Sequence, residues 1–138
     1  MIDPAQHQAF AEAGVADFVS LGTFRRSGAI VRTPVWIAPW GDRLVVTTER
    51  STGKVKRLRN DPRVVLAPCG RTGRIREGAR EASGVATILT DPAEVRSATA
   101  ALRRDYGVQL RLVLGLERLV RRIQRRPGDR VILAIAPA

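Results

Sequence analysis

The segment from Thr47 to Arg57, TTERSTGKVKR, joins the end of a predicted strand to the start of a basic helix. Unpaired N–H groups and the positive end of the helix dipole attract anions to such a helix start. Lys54 and Arg57 are three residues apart, so both lie on one face of the helix and can approach one phosphate. The spacing is not that of a Walker A loop, so it predicts anion binding and not nucleotide hydrolysis. A basic, solvated helix face is the alternative interpretation of these residues.

The chain contains few of the side chains that nucleophilic or metal-ion catalysis requires. Cys69 is the only cysteine and His7 the only histidine among 138 residues. These counts argue against a disulfide framework, a zinc or haem site, and a Ser-His or Cys-His nucleophile pair. Chemistry carried by a bound cofactor suits such a sequence, because the protein then supplies only binding, orientation and electrostatics.

The formal net charge of +11 comes from 24 basic residues, of which 22 are arginine and only Lys54 and Lys56 are lysine. A positive field of this size attracts phosphates, polycarboxylates, nucleic acids and acidic lipids. The aromatic residues are few, and they are not interleaved with the basic residues as a nucleic-acid stacking surface requires. We therefore expect no specific nucleic-acid partner. The basic amphipathic stretch from Gln109 to Arg126 either packs on the rest of the domain or a partner, or binds an anionic surface.

Turn and periodicity signals divide the chain into elements in the order α-β-β-β-α-β-β-α-α-β, which is typical of a strand-rich α+β domain. Three early strands joined by tight turns are expected to form an antiparallel meander. Pro34, within the second strand, indicates an edge strand or a bulge, because proline cannot donate to the ladder. The predicted strands are Ala16–Arg26, Ala29–Trp40, Arg43–Thr48, Arg63–Cys69, Arg80–Thr90 and Arg130–Ile135, and the predicted helices are Ala5–Ala13, a helix capped at Ser51 or Thr52 that ends at Asn60, Asp91–Tyr106 and Gln109–Arg126.

The length and composition predict a single globular domain over residues 1–138. The polar residues from Met1 to His7 do not show the basic and apolar pattern of a signal peptide. The run without charge from Leu112 to Leu116 is too short to span a bilayer. We therefore expect a cytoplasmic protein without integral membrane association.

Three blocks of the sequence carry a resemblance to a known family. Phe18–Gly28 (FVSLGTFRRSG), Thr33–Trp36 (TPVW) and Ser51–Val64 (STGKVKRLRNDPRV) closely resemble, in order and spacing, blocks of the split-barrel F420-dependent oxidoreductases. These enzymes are the B-type branch of the flavin/deazaflavin oxidoreductases, within the pyridoxamine phosphate oxidase-like superfamily. Their usual pattern is TxRxDGxPxxTPVW, then SGKVKRLRxNPRV and LAPC, and the similarity runs from Phe18 to Thr90. Ser51-Thr52-Gly53 departs from the pattern, in which an acidic or small residue is followed directly by Ser-Gly.

The resemblance implies an antiparallel split β-barrel with flanking helices, similar to the FMN-binding split barrels, that forms a homodimer. It implies coenzyme F420 as the cofactor, with FMN as the alternative, in a groove between the barrel and the partner; the residue counts above already argue against a metal. Lys54 and Arg57 would contact the cofactor phosphate, and the segment Thr33–Trp36 would run beside the ring system. The implied cofactor-binding residues are Thr33, Pro34, Val35, Trp36, Thr47, Thr48, Ser51, Gly53, Lys54, Arg57, Pro68 and Cys69.

The resemblance also implies hydride transfer between reduced F420 and a small organic substrate, which the residues do not identify. The positive charge of the chain complements the phosphate and polyglutamate tail of F420, whereas FMN has no such tail. An FMN-binding oxidase or reductase and a non-catalytic F420-binding or storage protein are the alternatives. The sequence identifies no catalytic side chain.

Overall fold

The computed structural model describes residues 4–16, 18–50, 52–105 and 130–138. Seven antiparallel strands form one curled sheet in the order β2-β1-β5-β6-β7-β4-β3, and with its flanking helices this is an α+β split barrel. The predicted fold class is therefore confirmed. The strands are β1 Phe18–Phe24, β2 Ile30–Val35, β3 Ile37–Trp40, β4 Arg43–Glu49, β5 Arg63–Cys69, β6 Ala82–Ile88 and β7 Arg130–Pro137, and the helices are α1 Pro4–Gly14, α2 Gly53–Asn60 and α3 at residues 92–105.

The first two hairpins, β1–β2 and β3–β4, lie at opposite edges of the sheet. The predicted strand Ala29–Trp40 is divided at Trp36, where the chain crosses from one edge strand to the other. Both predicted hairpins are present, but they do not form one continuous meander, because β2 and β3 are separate strands at opposite edges of the sheet. Turn signals report only on neighbours in sequence. Pro34 lies in the edge strand β2, as predicted, where a missing N–H donor is tolerated.

The strands bury alternate side chains inside the barrel. Leu21 of β1 and Leu133 of β7 are fully buried there, and α1 and α2 close the interior with Phe10 and Val55. Because Val55 faces the interior, its two lysine neighbours lie on the flanks of α2. Lys54 is half-buried and Lys56 is exposed.

A second apolar cluster lies on the outer face of β3, β4 and β7, under α3. Val45 and Leu102 are buried in it, one from β4 and one from α3. Trp36 and Trp40 pack against the same cluster, and Trp40 Nε1 donates to Ser97 Oγ of α3 at 2.9 Å. The crossover residue Trp36 thus packs against the cluster under α3.

Glycine is required at the hairpin turns, where Gly28 (φ 90°) and Gly41 (φ 63°) adopt a conformation that residues with side chains rarely tolerate. The remaining described elements agree with the predicted ones to within a few residues. The predicted helix Gln109–Arg126 lies outside the described residues. Within those residues, no helix combines the length and the apolar character that crossing a membrane would need.

Candidate functional site

A cleft of about 350 Å³ opens at the crossover between β2 and β3, beside the start of α2. It draws on β1, β2, β4, α2, the loop after β5 and the first residue of β7, so residues distant in sequence meet there. In the part of the chain that the structure describes, the cleft is lined by Phe18, Pro34, Val35, Trp36, Thr47, Thr48, Glu49, Thr52, Lys54, Arg71 and Arg130.

The lining combines an apolar group of side chains with a charged group. Three cations against one carboxylate give the described lining a net positive charge. A flat apolar ring system that carries an anionic group matches this combination. The apolar group is Phe18, Pro34, Val35 and Trp36, and the charged group is Lys54, Arg71, Arg130 and Glu49.

The start of α2 has the features of an anion-binding helix terminus. Thr52 is its N-cap residue, with an extended backbone (φ −71°, ψ 155°), but its side chain makes no capping hydrogen bond. Thr52 Oγ1 donates instead to the carbonyl oxygen of Glu49 at 2.9 Å, and the first turn of α2 has no acidic residue. Thr52 therefore leaves the first N–H groups of α2 to other acceptors. Thr52 is thus the N-cap residue by its position, although its side chain does not cap the helix. Ser51, the other predicted cap residue, lies outside the described residues.

Lys54 is the second residue of α2, and its half-buried side chain lines the cleft. Burial lowers its pKa below the ordinary value, the positive charges of Arg57 and Arg130 lower that pKa further, and Glu49 opposes them. Like charges destabilise the ammonium, and an anion bound beside it would relieve that repulsion. The electrostatics at Lys54 therefore favour an anionic ligand.

Arg57 does not line the cleft. Its Nε donates to the Oγ1 of Thr23, a buried residue of β1, at 2.7 Å. A Cβ added to Gly53 would lie 2.6 Å from Arg57 Nη1, so the guanidinium folds back over the first residue of α2. Burial, and after it Arg25, lowers the pKa of Arg57. Arg57 is thus near enough to Lys54 to lower the pKa of Lys54. The hydrogen bond of its own guanidinium is to Thr23 of β1.

The end of β5 contributes packing to this region. Cys69 is fully buried and lies opposite Phe18, and burial raises the pKa of its thiol against the effect of Arg76. A buried thiol is unreactive, so Cys69 is a packing residue opposite Phe18 of the lining. Pro68 lies beside it, opposite Val19.

The cleft brings together part of the set that the resemblance implies for cofactor binding. Thr33 is not in the lining, and its Oγ1 is buried without a hydrogen-bond partner in the described structure. The residues of that set that line the cleft are Pro34, Val35, Trp36, Thr47, Thr48 and Lys54, and the described ones outside its lining are Thr33, Gly53, Arg57, Pro68 and Cys69.

The sequence-based set omits five residues of the lining. Glu49 and Thr52 adjoin the start of α2. Their position in the segment Thr47–Arg57 could therefore have indicated that they belong to the site. Arg130 enters the cleft because β7 pairs with β4, with Arg130 opposite Glu49, and no local pattern indicates that contact. The omitted residues are Phe18, Glu49, Thr52, Arg71 and Arg130.

A family model described as pyridoxamine 5'-phosphate oxidase matches residues 4–138. Similar solved structures include an F420 reductase, with 19% identity, 94% of this chain and 93% of that chain covered, and a TM-score of 0.59. They include the conserved hypothetical protein Rv2991 from Mycobacterium tuberculosis, with 21% identity, coverage of 99% and 81%, and a TM-score of 0.62. They also include the haem storage protein HutZ from Vibrio cholerae, with 14% identity, coverage of 99% and 89%, and a TM-score of 0.62. The comparison with curated proteins gives no match.

At these identities the solved structures show a common fold and carry no conclusion about the ligand. The family model covers every described element, from α1 to the end of β7, and therefore includes the whole cleft. The split-barrel topology agrees with it. The chain belongs to the pyridoxamine 5'-phosphate oxidase family.

Proposed function

We propose that the chain is an oxidoreductase that binds coenzyme F420 in the cleft and uses it to reduce a small organic substrate. The observation that carries this proposal is one cleft in which Lys54, at the start of α2, faces the same space as Trp36 and its apolar neighbours. F420 joins a flat deazaflavin ring to a phosphate and a polyglutamate tail, so it presents both features that the lining matches. The similarity in fold to an F420 reductase supports this choice of cofactor.

In this proposal Lys54 and the first N–H groups of α2 bind the cofactor phosphate, assisted by Thr48 and Ser51. Arg57 adds positive charge from the next turn. The ring lies beside the segment Pro34–Trp36. When bound, F420 supplies the hydride chemistry, while the chain binds the cofactor, orients it and excludes water.

Two alternatives use the same cleft. FMN also joins a flat ring to a phosphate, but it lacks the polyglutamate tail that the net charge of +11 complements. A storage protein that binds F420 without turnover would need the same lining. Haem, the ligand named for HutZ, suits this lining less well, because the described lining contains no His, Cys, Met or Tyr to ligate the iron.

A fluorescence titration tests the cofactor. Purified apo-protein should quench F420 fluorescence with a dissociation constant in the micromolar range or below, and FMN should compete only weakly. If FMN copurifies with the protein and F420 does not displace it, the cofactor assignment is wrong. Oxidation of reduced F420 by added substrates would then distinguish an enzyme from a storage protein.

The lowered pKa of Lys54 predicts that cofactor binding depends on pH. A phosphate binds the ammonium form, so it should raise the pKa of Lys54 in the complex. Affinity should therefore be highest below the lowered pKa of the free protein and should fall as the pH rises through it. Titrations of F420 at a series of pH values from neutral up to the ordinary lysine pKa of about 10.4 measure this profile.

Lys54→Arg is the control for the pH profile, because arginine keeps its charge over this range. The other charged groups that act on Lys54 are Arg57, Arg130 and Glu49, and they are unchanged in the variant. We expect a flat profile for Lys54→Arg. A profile of wild-type slope in that variant would mean that another group titrates.

A homodimer, which rests on the family resemblance, and a cytoplasmic location remain predictions that accompany this proposal. The substrate is unidentified, and no side chain is assigned to proton transfer.

A further inference from the structure

Arg130, the first residue of β7, lines the cleft and makes two hydrogen bonds to Thr47 of β4. Arg130 Nε donates to Thr47 Oγ1 at 3.1 Å, and Arg130 Nη2 donates to the Thr47 carbonyl oxygen at 3.3 Å. Two contacts to one residue fix both the position and the plane of a guanidinium. The antiparallel pairing of β4 with β7 brings the two residues together, since Glu49 lies opposite Arg130.

The Thr47 hydroxyl group is already committed in both of its hydrogen-bonding roles. A hydroxyl has one proton, and that of Thr47 donates to the Val131 carbonyl oxygen at 3.5 Å. One of its two lone pairs accepts the bond from Arg130. The hydroxyl group of Thr47 is therefore hydrogen-bonded to Arg130 and Val131. The resemblance implies instead a direct contact between Thr47 and the cofactor.

This arrangement keeps a second cation beside Lys54. Arg130 and Lys54 line the same cleft, and the charge of Arg130 lowers the pKa of Lys54. Two like charges that line one cleft repel each other; Glu49 offsets part of that repulsion at Lys54, and a bound anion would offset more of it. Arg130, oriented by its two hydrogen bonds to Thr47, can therefore bind one anion together with Lys54.

We propose that Arg130 is an anion-binding residue of the cleft and that Thr47 is the residue that positions it. Lys54 then approaches the anion from α2 and Arg130 approaches it from β7. A guanidinium fork and an ammonium bind separate oxygens, so the pair selects an anion with several acceptor oxygens, such as a phosphate. Naming F420 as the source of that phosphate rests on the proposed function above.

The test compares F420 with its phosphate-free deazaflavin chromophore. Arg130→Gln should weaken F420 binding by about ten- to a hundred-fold and change binding of the chromophore by less than about threefold. Arg130→Lys keeps the charge without the fork and should give an intermediate loss. Thr47→Val keeps the shape of the side chain but not the hydroxyl, and it should weaken F420 binding by roughly three- to tenfold.

Arg74→Gln is the matched control, because it removes the same charge from an exposed residue that does not line the cleft. It should change F420 affinity by less than about threefold.

If the wild type binds F420 and Arg130→Gln binds it equally well, the inference is wrong and the proposed function stands. Equal losses for F420 and the chromophore in Arg130→Gln would also overturn it, since they would indicate damage to the fold. If the wild type binds neither ligand, the proposed function fails and this inference fails with it.

Discussion

Replacing Lys54 by alanine should weaken F420 binding by about ten- to a hundred-fold and leave the fold intact. Lys54 lines the cleft at the start of α2, and burial and neighbouring charges lower its pKa. A hydrogen bond from a charged group contributes about 1.5–3 kcal/mol, which corresponds to this loss of affinity. Fluorescence titration of the variant measures the loss, and circular dichroism during thermal unfolding checks the fold.

Lys56→Ala is the matched control for this prediction. Lys56 is the only other lysine of the chain, it lies two residues further along the same helix, and it is exposed. Its removal lowers the net charge by the same amount, so it should reduce affinity only slightly and mainly at low salt. Equal losses in the two variants, both abolished by added salt, would mean that a general positive field and not a site at Lys54 attracts the ligand.

Replacing Leu133 by alanine should lower the free energy of unfolding by about 2–5 kcal/mol. Leu133 is fully buried in β7, opposite Val46 of β4 and Ile88 of β6. Because β7 is the strand between β6 and β4, this side chain packs where the two halves of the sheet meet. Alanine would lose that apolar burial and leave a cavity. Urea unfolding should show a lower midpoint with an unchanged slope.

Val85→Ala provides the comparison for Leu133. Val85 is also an apolar strand residue, but 38% of its surface is exposed. Its replacement should change the free energy of unfolding by less than about 0.5 kcal/mol. If Leu133→Ala were equally mild, Leu133 would not lie in a packed interior and the register of β7 would be wrong.

The elements of this fold were predictable where their signals are local. Helix α2 ends at Asn60, as expected from the proline at position 62, and its buried residues Val55 and Leu58 follow the helical repeat. The turns at Gly28 and Gly41 have the positive φ angles that their hairpins require. Each of these features depends on residues within a few positions of one another.

The crossover at Trp36 was not predictable from such signals. The stretch Ala29–Trp40 contains two prolines, but Pro34 lies within β2 and Pro39 within β3, so neither marks the break at Trp36. The break exists because β2 pairs with β1 while β3 and β4 lie at the far edge, next to β7. Strand pairing over this sequence distance is set by closure of the barrel and not by local preference.

The residues of the candidate site also divide into those with a local sequence signal and those that only strand pairing brings to the site. Lys54 was predictable because it adjoins a helix start, whereas Arg130 reaches the cleft only through the pairing of β7 with β4. The spacing of Lys54 and Arg57 correctly places them near each other. It could not show that Thr23, a buried hydroxyl on β1, accepts a hydrogen bond from the Arg57 guanidinium, because buried polar groups take the partners that tertiary structure offers.

A crystal structure of the protein with bound F420 is the most direct test of the proposed site. The cofactor phosphate should lie within hydrogen-bonding distance of Lys54 Nζ and of the Arg130 guanidinium, with the deazaflavin ring beside the segment Pro34–Trp36. A cofactor bound away from the cleft, or a phosphate that contacts neither cation, would contradict the proposal.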